Sequence, residues 1–237
     1  QRFYRMKLLW LNFSLTNALI VPFLFGRQNF LSKLSEPPNK VQKIVQLLNT
    51  DPSNRSIPEM MEDLTLTDIG LKKTDMINYT DINRYIPIIE NRKYTFAVFV
   101  VKKGEKLPLH DHPKMTVLSK VLSGEVRVSS YDWESESEAA KGGVRKRAKE
   151  VFVGVKRPSD GTWTLEPNKG NIHEISAVET SAVLDVLYPP YSDERGCSYY
   201  RVIGGENGQG FVYLENVEQP KGLPVFQRYK GLPIKHF

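Results

Sequence analysis

The hydrophobic positions of the chain follow a helical period before Tyr94 and a strand period after it. In the segment from Asn39 to Thr50 apolar residues recur at intervals of three and four, which predicts a helix with one buried face. Those apolar positions are Val41, Ile44, Val45 and Leu48. The preceding string SEPPNK ends any earlier helix, because proline lacks an amide donor and restricts the residue before it. Residues 51–80 are polar and irregular, and we expect a wrapping segment with a short helical turn there.

From Tyr94 onward, short segments rich in Val, Ile, Thr and aromatic residues alternate with Gly, Pro, Asn and Asp turns, as in a sandwich or barrel. The predicted strands lie within residues 94–104, 114–133, 150–155, 161–166, 171–178, 181–191 and 198–204. The dipeptide Ser123-Gly124 predicts a turn inside the second of these segments. No βαβ alternation and no glycine-rich phosphate loop occurs, which excludes the common nucleotide-binding folds. We therefore expect a mainly β protein, a double-sheet jelly-roll barrel with a small N-terminal helical region.

Composition sets limits on compartment and size. The chain has 237 residues, a net charge of +6 and one cysteine, Cys197. A single cysteine forms no intrachain disulfide, so we expect a reducing location, the cytoplasm or also the nucleus. The length fits one large domain, or one domain with an N-terminal appendage, and we expect a monomer because no association motif stands out.

An apolar segment near the N-terminus, Leu8 to Phe25, leaves targeting open. It follows three basic residues and resembles a signal peptide, but polar residues interrupt it and it is marginal for a membrane span. The alternatives are a targeting or anchoring segment and an amphipathic helix packed on the domain; we favour the helix and expect no membrane span.

A basic cluster, KGGVRKRAKE from Lys141 to Glu150, is the one concentration of positive charge. It could bind nucleic acid or acidic lipid. No aromatic stacking platform accompanies it, so we expect a solvated loop between two strands and no nucleic-acid partner.

Two histidines, His110 and His112, are the strongest chemical signal. Residues two apart on a strand point to the same face, so both imidazoles would enter one space. Imidazole is a common ligand of Fe, Zn, Cu and Ni, and a third histidine on a nearby predicted strand, His173, can complete a set. His236, near the C-terminus, is left out of the set.

The pattern around these histidines resembles the first motif of the cupin superfamily, G-x5-H-x-H followed by a glutamate and a later glycine. Gly104, His110, His112 and Gly124 match it, and Val117 stands where the motif has glutamate. The resemblance thus predicts a site without the usual carboxylate ligand.

The second cupin motif is matched approximately, with one extra residue and with Ala177 in place of the final asparagine. Its matching positions are Gly161, Pro167, Gly170 and His173. Together the two motifs imply three histidine ligands. Three neutral imidazoles leave a divalent ion its full charge, which favours capture of an anionic soft donor such as a thiolate.

Longer strings, PLHDHP, VLDVLYPPYSD and CSYYRV, resemble the thiol dioxygenases that comprise plant cysteine oxidases and 2-aminoethanethiol (cysteamine) dioxygenase, over about residues 64–232. The resemblance implies one mononuclear Fe(II) per chain and conversion of a thiol to a sulfinic acid with O2. The substrates it implies are cysteamine or the N-terminal cysteine of proteins and peptides, the latter feeding an oxygen-sensing pathway. It also implies a domain division into residues 1–50, apolar segment and helix, and residues 51–237, the cupin thiol dioxygenase domain.

The same resemblance assigns roles to four further residues. Asp185 matches an acidic pocket residue that could hold the substrate's ammonium group, and Tyr191 matches a pocket tyrosine that could orient substrate or oxygen. Cys197 and Tyr199 match a Cys-x-Tyr segment with a proposed thioether cross-link. Each also has a plain structural interpretation: an ion pair for Asp185, core packing for Tyr191, and a small buried residue for Cys197.

One residue departs from the family pattern, since Lys114 stands where the family usually has glycine. Its charge could lie near the pocket mouth or simply face solvent. Two rival functions stay open on sequence alone. One is a metal cupin acting on a carbon substrate, as an isomerase or dioxygenase, and the other is a non-catalytic cupin that senses or stores a ligand.

Overall fold

The computed structural model describes residues 39–74, 82–135, 145–206, 210–231 and 233–234. The apolar segment from Leu8 to Phe25 and His236 lie outside these residues, so the predictions for them stay predictions, as does the domain boundary at residue 50. Within the described ranges, no helix has both the length and the apolar character needed to cross a membrane.

The described residues form two α-helices, one 3-10 turn and twelve strands. The helices are α1 (Lys40–Thr50) and α2 (Ser56–Glu62), and the 3-10 turn is Pro158–Asp160. The strands are β1 (Arg84–Glu90), β2 (Thr95–Val101), β3 (Lys106–His110), β4 (Thr116–Ser123), β5 (Val126–Trp133), β6 (Arg145–Lys156), β7 (Thr162–Leu165), β8 (Ile172–Ala177), β9 (Ser181–Tyr188), β10 (Tyr199–Glu206), β11 (Phe211–Val217) and β12 (Val225–Phe226).

The strands form two sheets. One has six strands in the order β12-β1-β2-β9-β4-β7, and the other closes on itself in the order β10-β11-β6-β5-β8-β3. Neighbouring strands are antiparallel, except that β1 and β12 run parallel. The mainly β, double-stranded β-helix fold with a small N-terminal helical region is confirmed.

Helix α1 forms as its hydrophobic spacing predicts. The Asn39 side chain caps it by accepting a hydrogen bond from the Gln42 amide at 2.8 Å. Its four predicted apolar positions are buried in one cluster with residues of β2, β4 and β9, such as Phe96, Leu118 and Leu184. The helix therefore covers the outer face of the open sheet. The predicted short helical turn is α2, which buries Ile57 and Met61 in the same cluster.

The inner faces of the two sheets enclose the barrel interior. One end holds an apolar cluster that includes Leu107, Val121 and Val183, and a second inner cluster contains Val117 and Leu187. The turn between β4 and β5 confirms the one predicted at Ser123-Gly124. Gly124 has φ +83°, and a Cβ there would lie 2.3 Å from the Ser181 hydroxyl oxygen, so the turn requires glycine.

The structure corrects three expectations about strands. The basic cluster is not a loop from Arg145 onward, because those residues begin β6 and pair with β11. The strands β1, β3, β11 and β12 lie outside the predicted segments, although the histidine pair was expected on a strand. Strand β3 ends at His110, so His112 is not on the strand.

Candidate metal centre

Strand pairing places two of the three histidines directly opposite each other. His110, the last residue of β3, pairs with His173 in β8, and their ring centroids lie 4.7 Å apart. A register shift between Leu107 and His110 marks an irregularity in this ladder. It allows both Leu107 and His110 to line the same pocket, although they are three residues apart.

His112 reaches the same place from a turn. The His112 carbonyl accepts a hydrogen bond from the Met115 amide at 3.1 Å, which closes a four-residue turn through Pro113 and Lys114. The His112 ring centroid lies 4.8 Å from that of His110 and 5.0 Å from that of His173. The three predicted ligands are therefore brought together, although one of them lies beyond the strand.

Asn171 holds His112 in position and is a residue that the sequence analysis missed. Its side-chain oxygen accepts from the His112 amide at 2.9 Å, and its side-chain nitrogen donates to the His112 carbonyl at 2.8 Å. The same nitrogen donates to the Glu166 carbonyl at 3.0 Å. Asn171 is buried and lies two residues before His173, so it ties the backbone of one predicted ligand to the strand that carries another. No local pattern in the sequence marks Asn171 for this role, because its contact with His112 spans 59 residues.

The hydrogen-bond partners fix which ring nitrogens present lone pairs. His110 Nδ1 lies 2.7 Å from the Pro108 carbonyl oxygen, which can only accept, so Nδ1 carries the proton and Nε2 is free. The Tyr191 hydroxyl donates its single proton to the Asp111 carbonyl at 2.7 Å and accepts from His112 Nδ1 at 2.8 Å. His112 Nε2 therefore also presents a lone pair, 3.4 Å from His173 Nε2.

This arrangement fits a cation. One ring nitrogen from each histidine lies within 4.8 Å of the others, and no other such cluster occurs among the residues that the structure describes. Burial lowers the pKa of all three imidazoles, so they stay neutral near pH 7 and are available as ligands. The His173 Nδ1 atom is buried without a hydrogen-bond partner in the described chain.

Among the residues that the structure describes, no carboxylate joins the histidine set. Val117, at the position where the cupin motif has glutamate, is fully buried among Met115, Leu165 and Leu187. A bound divalent ion would therefore keep its full charge in this set, as the sequence predicts.

Asp185 is the one acidic residue among those lining the pocket. It lies on β9 opposite Ser119 of β4, and only 3% of it is exposed. Burial raises its pKa to about 7, and the neighbouring Ser119 opposes that shift. One carboxylate oxygen has no hydrogen-bond partner among the described residues, so the plain interpretation of Asp185 as half of an ion pair is not what the structure shows.

Tyr191 lies at the mouth of the pocket with 37% of its surface exposed, so it is not a core residue. Its hydroxyl is already engaged with His112 and the Asp111 carbonyl. Burial raises the pKa of this phenol well above its ordinary value, which keeps the donated proton in place. These contacts orient His112. The expected contact of Tyr191 with substrate or oxygen stays a prediction.

Cys197 and Tyr199 also line the pocket. Burial raises the pKa of the Cys197 thiol to about 11, against the influence of the Tyr191 and Tyr199 hydroxyls beside it. The Cys197 thiol thus lies near two phenols, of which Tyr199 is the partner that the resemblance implies. The cross-link itself stays a prediction.

Asp111 lies between the two histidines in the sequence but is not among the residues that line their pocket. Its carboxylate accepts from the Ser198 amide at 2.7 Å and from the Tyr200 hydroxyl at 2.8 Å. Its amide donates to the Ser198 carbonyl at 3.1 Å. Asp111 therefore fastens the histidine segment to the start of β10, next to Cys197 and Tyr199.

The space in front of the histidines is a pocket of about 230 Å³. Apolar side chains form much of its wall, including Phe99, Leu107 and Leu187 from the strands, and Leu223 and Pro224 close it from the C-terminal segment. Lys114 is exposed and is not among the lining residues, so of the two alternatives for its side chain the structure favours solvent.

The fold and the site define a class: a cupin with a buried three-histidine cluster suited to a metal ion. Within that class, the chain belongs to the PCO_ADO family, whose model matches residues 60–231.

Relatives with assigned names agree with this membership. The chain is 41% identical over 123 residues to the probable 2-aminoethanethiol dioxygenase of Dictyostelium discoideum, covering 49% of this chain and 55% of that protein. It is 38% identical over 144 residues to 2-aminoethanethiol dioxygenase of Homo sapiens, covering 50% of this chain and 52% of that protein. It is 29% identical over 211 residues to plant cysteine oxidase 2 of Arabidopsis thaliana, covering 78% and 76%.

The chain thus spans about half the length of the two 2-aminoethanethiol dioxygenases. Among solved structures, an RmlC-like cupin protein from Desulfovibrio desulfuricans matches with 20% identity and a TM-score of 0.31, covering 46% of this chain and 85% of that one.

Proposed function

We propose that this protein is an iron-dependent thiol dioxygenase that converts an amino-thiol to its sulfinic acid. The observation that carries the proposal is the set of three neutral imidazoles, without a carboxylate, beside a buried pocket whose one acidic lining residue is Asp185. The names of its relatives point to 2-aminoethanethiol (cysteamine) and to cysteine. The family resemblance narrows the second to the N-terminal cysteine of proteins and peptides.

His110, His112 and His173 would hold the metal ion, which supplies a positive centre for a thiolate and for O2. The overall reaction, RSH + O2 → RSO2H, balances without another reductant, because the sulfur gives up four electrons and both oxygen atoms end in the product. The proposed choice of iron rests on the three-histidine set and the family resemblance.

The protein's own groups do the positioning. Tyr191 and Pro108 hold His112 and His110 in the tautomers that leave Nε2 free. Asp185 supports substrate binding, since an ammonium group beside a carboxylate favours the ionised carboxylate and offsets its burial. Apolar walls around the pocket limit the access of water.

The test is mass spectrometry of products after anaerobically iron-loaded protein receives O2 with cysteamine or a Cys-initiating peptide. We expect a product heavier by two oxygen atoms. Replacing His110, His112 or His173 by alanine should abolish iron retention and turnover together, and full activity in any of these variants would refute the assignment. Bound iron without O2 consumption would favour a non-catalytic cupin, and oxidation of a carbon substrate alone would favour the other rival.

A further inference from the structure

A groove of about 640 Å³ lies beside the histidine pocket. Pro108 lines both cavities, and Gly222, in the groove, precedes Leu223, which lines the pocket. Leu109 and Tyr131 form part of the groove's base and belong to the apolar cluster on the outer side of the closed sheet. The groove and the pocket therefore adjoin at Pro108 on β3.

The groove lies where two neighbouring strands separate. Strands β3 and β10 pair at Tyr199 and His110 alone, whereas β10 pairs with β11 along its whole length. Lys106, Pro108 and Leu109 border the groove from β3, and Tyr200, Arg201 and Val202 border it from β10. Strand edges that face each other without pairing are where an extended peptide can lie.

The groove walls suit a peptide with polar side chains. Lys106 and Glu174 form an ion pair at 2.7 Å on one wall, and Arg201 pairs with Glu215 on the other. Glu105 and Lys221 also line the groove, and neither makes an ion pair within the described residues. Val202, 46% exposed, adds an apolar contact.

We propose that this groove binds the residues that follow the N-terminal cysteine of a peptide or protein substrate. The inference rests on the proposed function and specifies its substrate class. The reactive aminothiol end occupies the small pocket, and the chain after it passes Pro108 into the groove. A free aminothiol such as cysteamine fills the pocket and leaves the groove empty.

The first test is the dependence of kcat/KM on peptide length in the unaltered, iron-loaded protein. We expect kcat/KM to rise about tenfold between a Cys-initiating dipeptide and a hexapeptide of the same leading sequence, because main-chain contacts accumulate along the groove. Equal values for the two peptides would overturn the proposal.

The second test blocks the groove with Val202→Trp. Val153→Trp on β6 is the matched control, because Val153 is 45% exposed, lies on a strand and does not line the groove. We expect Val202→Trp to lower kcat/KM for the hexapeptide about tenfold and to leave the value for cysteamine unchanged, with no effect of Val153→Trp. Equal effects of the two variants, or equal loss on both substrates, would contradict the proposal.

Failure of the proposed function is recognised separately, as the absence of a sulfinic acid product from every thiol. In that case the groove is tested by fluorescence anisotropy with labelled hexapeptide and dipeptide that begin with serine. Tighter binding of the hexapeptide, lost in Val202→Trp and kept in Val153→Trp, supports the groove, and length-independent binding rejects it.

Discussion

Two buried asparagines perform the same task at different places in the molecule. Asn171 bonds to the amide and carbonyl of His112, and Asn83 accepts from the Lys102 amide at 3.0 Å and donates to the Lys106 carbonyl at 3.2 Å. Only Asn171 acts on a proposed metal ligand. The pair therefore offers a way to separate a contribution to stability from a contribution to the metal site.

We expect Asn171→Asp to weaken metal binding by about 10- to 100-fold, because the carboxylate cannot donate to the His112 carbonyl and the ligand loses its support. Each of the two substitutions should lower the free energy of unfolding of the metal-free protein by about 1–3 kcal/mol. Asn83→Asp should leave metal affinity unchanged. Titration with Co(II), monitored by visible absorption, measures metal affinity. Urea unfolding of the metal-free protein measures the free energy of unfolding. Equal metal affinity in the two variants would show that Asn171 has only a structural role.

The departure from the family pattern at Lys114 has a backbone consequence. Lys114 has φ +57° and follows Pro113 in the turn after His112, the arrangement of a type II turn, whose third position favours glycine. A lysine is strained in this left-handed backbone conformation, because its Cβ lies too close to the following carbonyl oxygen. The usual glycine of the family is thus explained by conformation and needs no role in charge.

We expect Lys114→Gly to raise the free energy of unfolding by about 0.5–1 kcal/mol and to leave metal affinity unchanged. Lys103→Gly is the control, because Lys103 is also an exposed turn residue but has no positive φ. Glycine at position 103 should destabilise the protein through the entropy of the unfolded chain. Thermal or urea unfolding of both variants measures the change in the free energy of unfolding, which should be positive for Lys114→Gly and negative for Lys103→Gly.

At the scale of elements, helix α1 is held by its packing on the open sheet. Leu48 is fully buried in the cluster between the helix and strands β2, β4 and β9. We expect Leu48→Ala to lower the free energy of unfolding by about 2–5 kcal/mol, since it removes apolar burial and leaves a cavity. The exposed neighbour Gln46→Ala should be nearly neutral. Urea unfolding measures both, and a neutral Leu48→Ala would show that α1 contributes little to stability.

Strong periodicity made α1 and the long strands β2, β4, β5, β8 and β9 predictable, because their apolar residues face a core. The histidine pair was expected on a strand, but the bounds of β3 were not predicted. It is five residues long, contains Pro108 and has an irregular register, so its pattern is weak.

The three histidines were predictable because their spacing and rarity are local properties of the sequence. The residues that hold His112 in position were not predictable. Asn171 and the Tyr191 hydroxyl bond to His112 from 59 and 79 residues away in the sequence. Such contacts depend on how β8 and the segment after β9 are placed around the barrel, which no local pattern specifies.

At the scale of the whole molecule, the buried Asp185 links stability to pH. Burial raises the pKa of Asp185 to about 7 in the folded protein, above its ordinary value of 3.8, so between these values the folded state binds more protons than the unfolded state. The contribution of Asp185 to stability is therefore lost as pH rises from about 4 to about 7, whereas the three buried imidazoles, whose pKa values are lowered, contribute with the opposite sign. Other ionisable groups near this carboxyl are the pocket histidines and Tyr85 of β1, whose pKa is raised by burial, by Glu90 and, least, by Asp185.

We expect the free energy of unfolding of metal-free Asp185→Asn, taken relative to that of the unaltered protein, to increase between about pH 5 and about pH 7, because the amide carries no charge to bury. Asp193→Asn, at an exposed position, is the control and should follow the unaltered protein. Urea unfolding at several pH values gives the slopes. Parallel curves for Asp185→Asn and the unaltered protein would mean that the carboxyl is not held in its protonated form by the fold.

The closed sheet is completed between β3 and β10 by one residue pair, His110 with Tyr199, reinforced by the bonds of Asp111 to Ser198 and Tyr200. We expect this seam to open before the rest of the closed sheet, because only one residue pair joins its two strands. Breaking it would let the β10 and β11 hairpin swing outward, since β11 pairs with only the first part of β6. We expect the amides of Asp111 and Ser198 to exchange with deuterium sooner than those in the middle of β9, which pairs on both sides. The place where the closed sheet opens locally would then coincide with the place where the proposed peptide substrate leaves the pocket.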